Sequence, residues 1–178
     1  VTKLAATLNE RLRLLTGGPR TAPQRHKTLR AALEWSHALL NPAEQAVFRR
    51  LGVFAGGFGL EMAQQVVADE STEPMLDEWA VLDVLGALVD RSRVIADAGE
   101  PPRYRMLESP RAYALEQLAG AGEDTAWRRR HAHAVLKHLT AVNEDCWGGR
   151  IGVDNAIKLL EKDLDNGREA LTWALAND

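Results

Sequence analysis

Cysteine is nearly absent from this sequence of 178 residues, and the single Cys146 excludes an internal disulfide. Aromatic residues make up only 6% of the chain, whereas leucine and alanine are abundant. No apolar run approaches the roughly 18 residues of a membrane-spanning helix, and no signal peptide opens the chain. With 46% apolar and 26% charged residues, the composition predicts a globular, mainly helical protein, and we expect a reducing, cytoplasmic setting.

Short motifs of common enzymes are also missing. The sequence contains no Gly-x-Ser-x-Gly, no His-Glu-x-x-His and no glycine-rich phosphate loop that ends in Gly-Lys-Ser/Thr. Neither His-x-x-x-His nor Cys-x-x-Cys spacing occurs, so we expect no metal site and no catalytic residue. Because the chain begins with Val1 inside a helical pattern, we interpret it as a fragment of a longer protein.

Positive charge is scarce in the middle of the chain. Residues 1–40 carry seven Lys or Arg against two Asp or Glu, whereas residues 41–100 carry four against eleven. Arg128-Arg129-Arg130 is the strongest basic run, but three consecutive helical residues splay over roughly 200°. We therefore predict a solvated or domain-facing arginine cluster and not a patch for nucleic acid.

What is present is a series of amphipathic segments separated by glycine and proline. Over residues 42–119 the patterns predict helices at 42–54, 59–68 and 76–91, strands at 93–97 and 103–107, and a last helix at 110–119. Three helices followed by one hairpin are the order of a winged helix-turn-helix. We expect that its helices bury Val47, Phe48, Leu51, Phe54 and Trp79.

Capping residues mark where several helices begin. Asn41-Pro42-Ala43-Glu44 combines a cap, a proline at the first helical position and an acid at the third. Ser109-Pro110 predicts the same arrangement for the last helix of the unit, and Thr28 is predicted to cap the helix that ends at Leu40. The stretch TGGPRTAP at residues 16–23 is predicted to be a linker. Past residue 124 the pattern is helical to the end, with helices at 124–144, 153–161 and 164–176, as in a helical-repeat array.

A resemblance to one family rests on two stretches, RLRLLTGGPRTAPQRHKTLRAALEWSHALLNPAEQAVFRRLGVFAGGF and YRMLESPRAYALEQL. They are similar to the region that follows the nucleotide-binding core in bacterial STAND signalling ATPases of the NB-ARC type, which occur in large transcriptional regulators with SARP-like or LuxR-like DNA-binding domains. The resemblance covers residues 8–178. It implies that residues 1–23 are the end of a helical subdomain followed by a linker. Residues 24–120 would form the winged-helix subdomain, and residues 124–178 would be the start of a TPR-like region.

The same resemblance implies a nucleotide site in the full-length protein. Its Walker motifs would lie upstream, so ATP or ADP would bind the whole protein, and this fragment would hold no cofactor. In the family, a Met-His-Asp motif at the strand-to-helix join contacts bound ADP through its histidine. The matching positions here are Met106, Leu107 and Glu108, which makes Leu107 and Glu108 the candidate nucleotide-sensor positions.

Both sensor positions have a second interpretation. Leucine offers a phosphate no donor, so Leu107 is alternatively a buried residue of the wing strand. Glu108 alternatively favours the positive end of the helix that follows. The basic segment from Arg20 to Arg30 is a candidate hinge and surface toward the upstream core, through the residues Arg20, Arg25, His26, Lys27 and Arg30.

The main hypothesis is a non-enzymatic regulatory fragment of a STAND ATPase. Its winged helix would pack on an upstream nucleotide-binding domain of the same chain and relay its state to helical repeats or other protein domains, with no membrane contact. The alternatives are a winged helix that binds DNA directly and a protein-interaction module without a nucleotide link. Because the helix at 76–91 carries four acids and one base, Arg91, we do not expect direct contact with nucleic acid.

Overall fold

The computed structural model describes residues 24–71 and 73–177, with side chains from residue 29 onward. Its helices are α1 (Gln24–Ala38), α2 (Pro42–Leu51), α3 (Leu60–Val67), α4 (Glu78–Asp90), α5 (Glu108–Gly120), α6 (Asp124–Trp147), α7 (Val153–Lys162) and α8 (Leu164–Asn177). Its strands are β1 (Phe58–Gly59), β2 (Ile95–Asp97) and β3 (Arg103–Arg105). The architecture is mainly helical, as the composition predicts.

Helices α2, α3 and α4 and the β2–β3 hairpin form the predicted winged helix-turn-helix. The three strands make an antiparallel sheet in the order β1-β3-β2, so the hairpin strand β3 lies in the middle. Phe58 pairs with Tyr104, and Ala96 pairs with Tyr104 from the other side. Strand β1 is too short to leave an alternating pattern in the sequence, which is why periodicity did not predict it.

Apolar side chains from α2, β1 and α4 fill one core. Val47, Phe48, Leu51 and Phe54 are all buried, as predicted. Phe54 stacks on Phe58 with ring centroids 4.3 Å apart. Burial of each such side chain contributes roughly 1.5–3 kcal/mol to folding, so this core fixes how α2 lies against the sheet.

The start of α2 follows its sequence signal. The Asn41 side chain accepts a hydrogen bond from the backbone N–H of Glu44, and the Glu44 carboxylate accepts one from the backbone N–H of Asn41, both at 2.9 Å. Pro42 occupies the first helical position. This capping box satisfies donors that the first turn leaves free.

Three local predictions were wrong. Helix α1 begins at Gln24, so Thr28 lies inside it and does not cap it. Helix α5 begins at Glu108 with Leu107 as its N-cap residue, so Ser109-Pro110 lies inside the first turn and no side chain caps this end. Trp79 is 75% exposed and not buried, because it lies on the face of α4 opposite the core-facing residues Val81, Leu85 and Leu88.

The C-terminal helices pack on the winged helix-turn-helix. Helix α6 contacts α3 on one side and α7 and α8 on another, and α6 and α8 form the most extensive helix pair. Over the described residues no helix is long and apolar enough to cross a membrane. The TPR-like nature of this region and the boundaries 1–23, 24–120 and 124–178 stay predictions.

Candidate functional site

Helices α3 and α4 form the helix-turn-helix, and backbone pairing holds the connection between them. Asp69 and Leu76 exchange two backbone hydrogen bonds, of 2.7 and 2.9 Å. Asp77 caps α4 by accepting a hydrogen bond from the Ala80 N–H at 2.7 Å. The Gln64 side chain of α3 donates to the Glu78 carbonyl at 2.9 Å. These hydrogen bonds join residues that are close in the sequence, and they fix the first turn of α4 against α3.

Helix α4 has one buried face and one open face. Val81, Leu85 and Leu88 point into the core. The exposed side consists of Glu78, Trp79, Asp83, Gly86 and Asp90. A side chain added at Gly86 would meet no atom within 4 Å. The outer face of α4 is therefore uncovered by the rest of the described chain, and a partner can approach it.

The charges around this face are mixed. Glu78, Asp83 and Asp90 make the outer face itself acidic. Two exposed arginine side chains belong to the same domain: Arg91 directly follows α4 and pairs with Glu44, and Arg105 on the wing pairs with Asp97 at 3.0 Å. Both arginine side chains are more than 40% exposed. Because Asp97 is exposed too, Arg105 can exchange it for a phosphate at low cost. Glu44 is buried, so Arg91 would keep this pair and offer a phosphate only its remaining N–H groups.

The underside of the wing is bound to the turn between α7 and α8. The Arg103 guanidinium donates to the Asp163 carboxylate at 2.6 Å, to the Gly57 carbonyl at 2.7 Å and to the Lys162 carbonyl at 3.1 Å. His138 of α6 lies 3.1 Å from the other Asp163 oxygen. Burial opposes ionisation of Asp163, but the bonds from His138 and Arg103 prevail and lower its pKa. Asp163 is therefore a buried anion shared by the wing and the C-terminal helices.

Asn166 of α8 holds the loop that leads into β1. Its side-chain oxygen accepts from the Ala55 N–H at 3.0 Å, and its side-chain nitrogen donates to the Gly57 carbonyl at 2.9 Å. The residue is fully buried. A side-chain amide matches the donor and acceptor of a backbone segment, so Asn166 makes the pair of bonds that a neighbouring strand would make.

His131 of α6 lies beside this amide. Its Nε2 is 3.4 Å from the Asn166 side-chain oxygen, and its ring meets Phe54 edge-on at 5.0 Å. Burial lowers the pKa of His131 to about 4, despite the hydrogen bond to Asn166 that favours the charged form. The ring is therefore neutral near pH 7 and acts as a polar core residue.

Helix α3 is held at its C-terminal end by two arginines that flank one tryptophan. Arg50 donates to the Val67 carbonyl at 3.0 Å and Arg130 to the Ala68 carbonyl at 2.6 Å. Their guanidinium carbons lie 4.0 and 4.7 Å from the centre of a Trp127 ring. Cations at a helix C-terminus complement its dipole. The Arg50–Trp127 contact joins α2 to α6, and the bond from Arg130 joins α6 to the end of α3.

The three arginines of the predicted cluster, residues 128–130, point in different directions, as consecutive positions on a helix require. Arg128 bonds to Asp124 and Glu169 at 2.8 and 2.7 Å, Arg130 turns to α3, and Arg129 is exposed. Two of the three arginines are thus structural. In the described part of the chain, no group of three or more His, Cys, Asp or Glu residues could hold a metal ion.

The candidate nucleotide-sensor positions lie at the surface. Leu107 is 51% exposed at the start of α5, so the alternative that it is a buried wing-strand residue is wrong. Glu108 is exposed in the first turn of α5, where a negative charge suits the helix dipole. No nucleotide contact follows from these positions alone, and their sensor role stays a prediction.

The predicted hinge lies mostly outside the described side chains. Arg20 falls in residues 1–23, and the side chains of Arg25, His26 and Lys27 are not described. Arg30 bonds to Glu34 at 2.8 Å and to Glu116 of α5 at 3.0 Å. Its guanidinium thus joins α1 to α5, so at this position the segment is anchored within the chain.

Comparison with known proteins identifies the unit that carries α4. Residues 40–119 match the family model of the winged helix-turn-helix domain. This part of the chain is a winged helix-turn-helix domain. No solved structure matches the chain.

The similar proteins are mycobacterial. A "Putative HTH-type transcriptional regulator" of Mycobacterium tuberculosis is 41% identical over 177 residues, which are 98% of this chain and 19% of that protein. Its counterpart in Mycobacterium bovis shows the same values. An uncharacterized protein of Mycobacterium tuberculosis is 38% identical over 152 residues, which are 85% of this chain and 37% of that protein. The chain thus spans about a fifth of the length of the first relatives.

These findings contradict the prediction that this chain avoids nucleic acid. The domain match and the description of the relatives point to DNA binding. The prediction was wrong because it considered only the charges on α4. Phosphate contacts in protein–DNA complexes come from any part of the domain, including wings and helix N-termini, and carboxylates have their own partners on base edges.

Proposed function

We propose that this chain is a regulatory segment of a bacterial transcriptional regulator and that its winged helix-turn-helix contacts DNA. The observation that carries the proposal is the uncovered outer face of α4 in a complete helix-turn-helix with a wing. The match of residues 40–119 to the domain family supports it, as do the relatives described as transcriptional regulators. In such domains the second helix of the motif enters the major groove.

The side chains on α4 indicate which groups would contact the bases of DNA and which would contact its phosphates. Asp83 and Glu78 can accept hydrogen bonds from cytosine amino groups, and Trp79 can pack on thymine methyl groups. Acidic side chains repel phosphates, so the phosphate contacts would come from Arg91, Arg105 and basic groups elsewhere in the protein. We therefore expect α4 to supply selectivity and the rest of the protein to supply much of the affinity.

A salt titration of duplex binding tests this proposal. Full-length protein is titrated into labelled duplexes of about 30 base pairs from upstream of its own gene, at salt concentrations from about 50 to 200 mM. We expect the dissociation constant to rise steeply with salt and a scrambled duplex to bind more weakly. If the full-length protein bound neither duplex at the lowest salt, the proposal would be wrong.

A second candidate role is favoured by apolar side chains that the fold leaves uncovered near the strand-to-helix join and on α1. Leu107, Trp35 and Leu39 are each at least half exposed. By the family resemblance, this side would pack on an upstream nucleotide-binding domain, and ATP or ADP bound there would set the position of the winged helix. Leu107 and Glu108 would then lie at that interface.

Hydrogen exchange of the full-length protein tests the second role. Residues 16–30 and 103–118 are compared in the ADP-loaded and ATP-loaded protein. We expect the two nucleotides to give different protection in both segments, because the packing of the winged helix would change between two states. Equal protection in both states, or an upstream sequence without a Walker A loop, would reject this role while leaving the DNA proposal untouched.

A further inference from the structure

An open groove runs between α6 and α8, on the side of the molecule away from any role assigned above. It has a volume of about 990 Å³ and is lined almost entirely by side chains of these two helices. The helices are antiparallel, because Asp163 at the start of α8 meets His138 while Glu169 farther along meets Arg128. The groove therefore runs along both helices, and each helix forms one of its walls.

The α6 wall has the spacing of a helix-packing seam. Thr125, Arg129, Ala132, Leu136 and Leu139 all line the groove, at alternating intervals of four and three residues. Such intervals keep side chains on one face of a helix and are the pattern that packs against another helix. The seam is about 21 Å long at 1.5 Å per residue.

The α8 wall repeats this spacing. Leu164, Gly167, Leu171 and Ala174 line the groove from that side, again three or four residues apart. Gly167 and Ala174 are small residues that leave room between the walls, whereas Leu136 and Leu171 are each more than 60% exposed. Two facing seams with these small residues fit a third helix of about four turns, and exposed apolar surface of this kind marks an interaction site.

The charged residues that line the groove determine which kind of helix would bind there. The exposed charged residues that line it are Arg129 and Arg168. The carboxylate that lines it, Asp163, is buried and already bound to Arg103. Asp165 meets Arg168 only at 3.4 Å and is itself exposed, so this pair offsets little of the positive potential.

We propose that the α6–α8 groove binds an amphipathic helix of a partner protein whose apolar stripe is flanked by acidic residues. The apolar stripe would fill the two seams, and the acidic flanks would meet Arg129 and Arg168. A leucine-striped segment of this chain, residues 3–15, carries two arginines and a lysine against one acid, so its charge does not suit the groove. The site is distinct from the α4 face and does not depend on DNA binding.

Binding of two matched synthetic peptides tests the proposal. Both are labelled 14-residue helices with the same leucine and alanine stripe; one has Glu and the other Lys at the flanking positions. Fluorescence anisotropy measures their binding to the full chain. We expect the Glu peptide to bind at least about tenfold more tightly than the Lys peptide, and raised salt to reduce that difference.

Matched variants locate the site. Leu171→Glu places a carboxylate on the α8 wall and should weaken binding of the Glu peptide by about tenfold or more. Leu175→Glu, also exposed on α8 but not in the groove lining, should change it by less than about twofold. Arg129→Ala should weaken the Glu peptide, whereas Arg150→Ala, in the connection between α6 and α7, should not.

Three results would overturn the proposal. Equal binding of the two peptides would remove the charge preference, and binding of neither would remove the helix site. Self-association of the chain in sedimentation, abolished by Leu171→Glu and kept in Leu175→Glu, would show that a second copy occupies the groove instead. Because both leucines are exposed, neither variant should disturb folding, and a thermal melt of each checks this.

Discussion

Asn166 is buried between segments of chain that lie far apart in the sequence. Its amide bonds to Ala55 and Gly57, more than 100 residues away, and it lies beside His131. Nothing in the local sequence distinguishes this asparagine from the exposed ones, because its role depends on a long-range contact. Sequence patterns predicted the apolar core residues Phe48 and Phe54 and could not predict this polar one.

Replacing Asn166 by alanine should destabilise the protein by about 2–3 kcal/mol, because a backbone donor and a backbone acceptor lose their partner away from water. Asn143→Ala is the control: this residue bonds only to Trp147 at the surface, and its loss should cost less than about 0.5 kcal/mol. Urea unfolding of both variants measures the difference. Equal losses would show that the loop does not depend on Asn166.

His131 makes stability depend on pH. In the folded state its pKa is about 4, against 6.5 for the free side chain. The unfolded chain therefore takes up a proton as the pH falls below 6.5, and the folded chain does so only near pH 4. Stability should be constant above about pH 7 and fall by about 3 kcal/mol between pH 6.5 and 4.

Urea unfolding across this range checks the prediction with two histidine variants. His131→Gln should lose most of the slope between pH 6.5 and 4, whereas His133→Gln, exposed on the same helix, should keep it. Burial also lowers the pKa of His37, so a slope of the same sign persists in both variants. An unchanged slope in His131→Gln would contradict the assignment. Asp163, whose pKa is also lowered, acts only at lower pH, below the normal carboxyl range.

At the scale of elements, the wing is joined to the C-terminal helices through Arg103. Helix periodicity and turn residues predicted the order of elements from α2 to α5 correctly, because that order is encoded locally. The cap predicted at Ser109 gave way to a helix start at Glu108, and the short strand β1 was missed. Arg103 and Asp163 are hydrogen-bonded although they lie 60 positions apart in the sequence. The periodicity of helices and strands cannot predict such a long-range contact.

Arg103→Met should destabilise the protein by about 3 kcal/mol, because the buried Asp163 charge loses one of its two partners, Arg103 and His138. Arg105→Met on the same strand removes only an exposed pair with Asp97 and should cost less than about 1 kcal/mol. Amide hydrogen exchange should also rise in residues 95–105 and 163–167 of Arg103→Met alone. A variant with unchanged exchange at 163–167 would show that the wing and the α7–α8 turn are not coupled.

At the scale of the whole molecule, the winged helix-turn-helix and the helices after it form one packed body whose α4 face stays open. The sequence predicted the mainly helical fold with its winged helix-turn-helix, and it also led to a wrong expectation about nucleic acid. The sequence showed the local charge on α4 and kept DNA binding as an alternative, and the comparisons favoured that alternative over the main hypothesis. The exposure of Trp79 could not be predicted from the sequence either, since a tryptophan at helical spacing is more often buried.

Substitution of Gly86 tests the central claim, that the outer face of α4 meets DNA. A side chain there would meet no other atom and would favour the helix, so folding is kept. In the full-length protein, Gly86→Lys should strengthen duplex binding and Gly86→Glu should weaken it, each by about tenfold, while Gly120→Lys and Gly120→Glu, exposed at the end of α5, should leave it unchanged. If the Gly86 and Gly120 variants bound the duplex equally well, α4 would not face DNA and the claim would be contradicted.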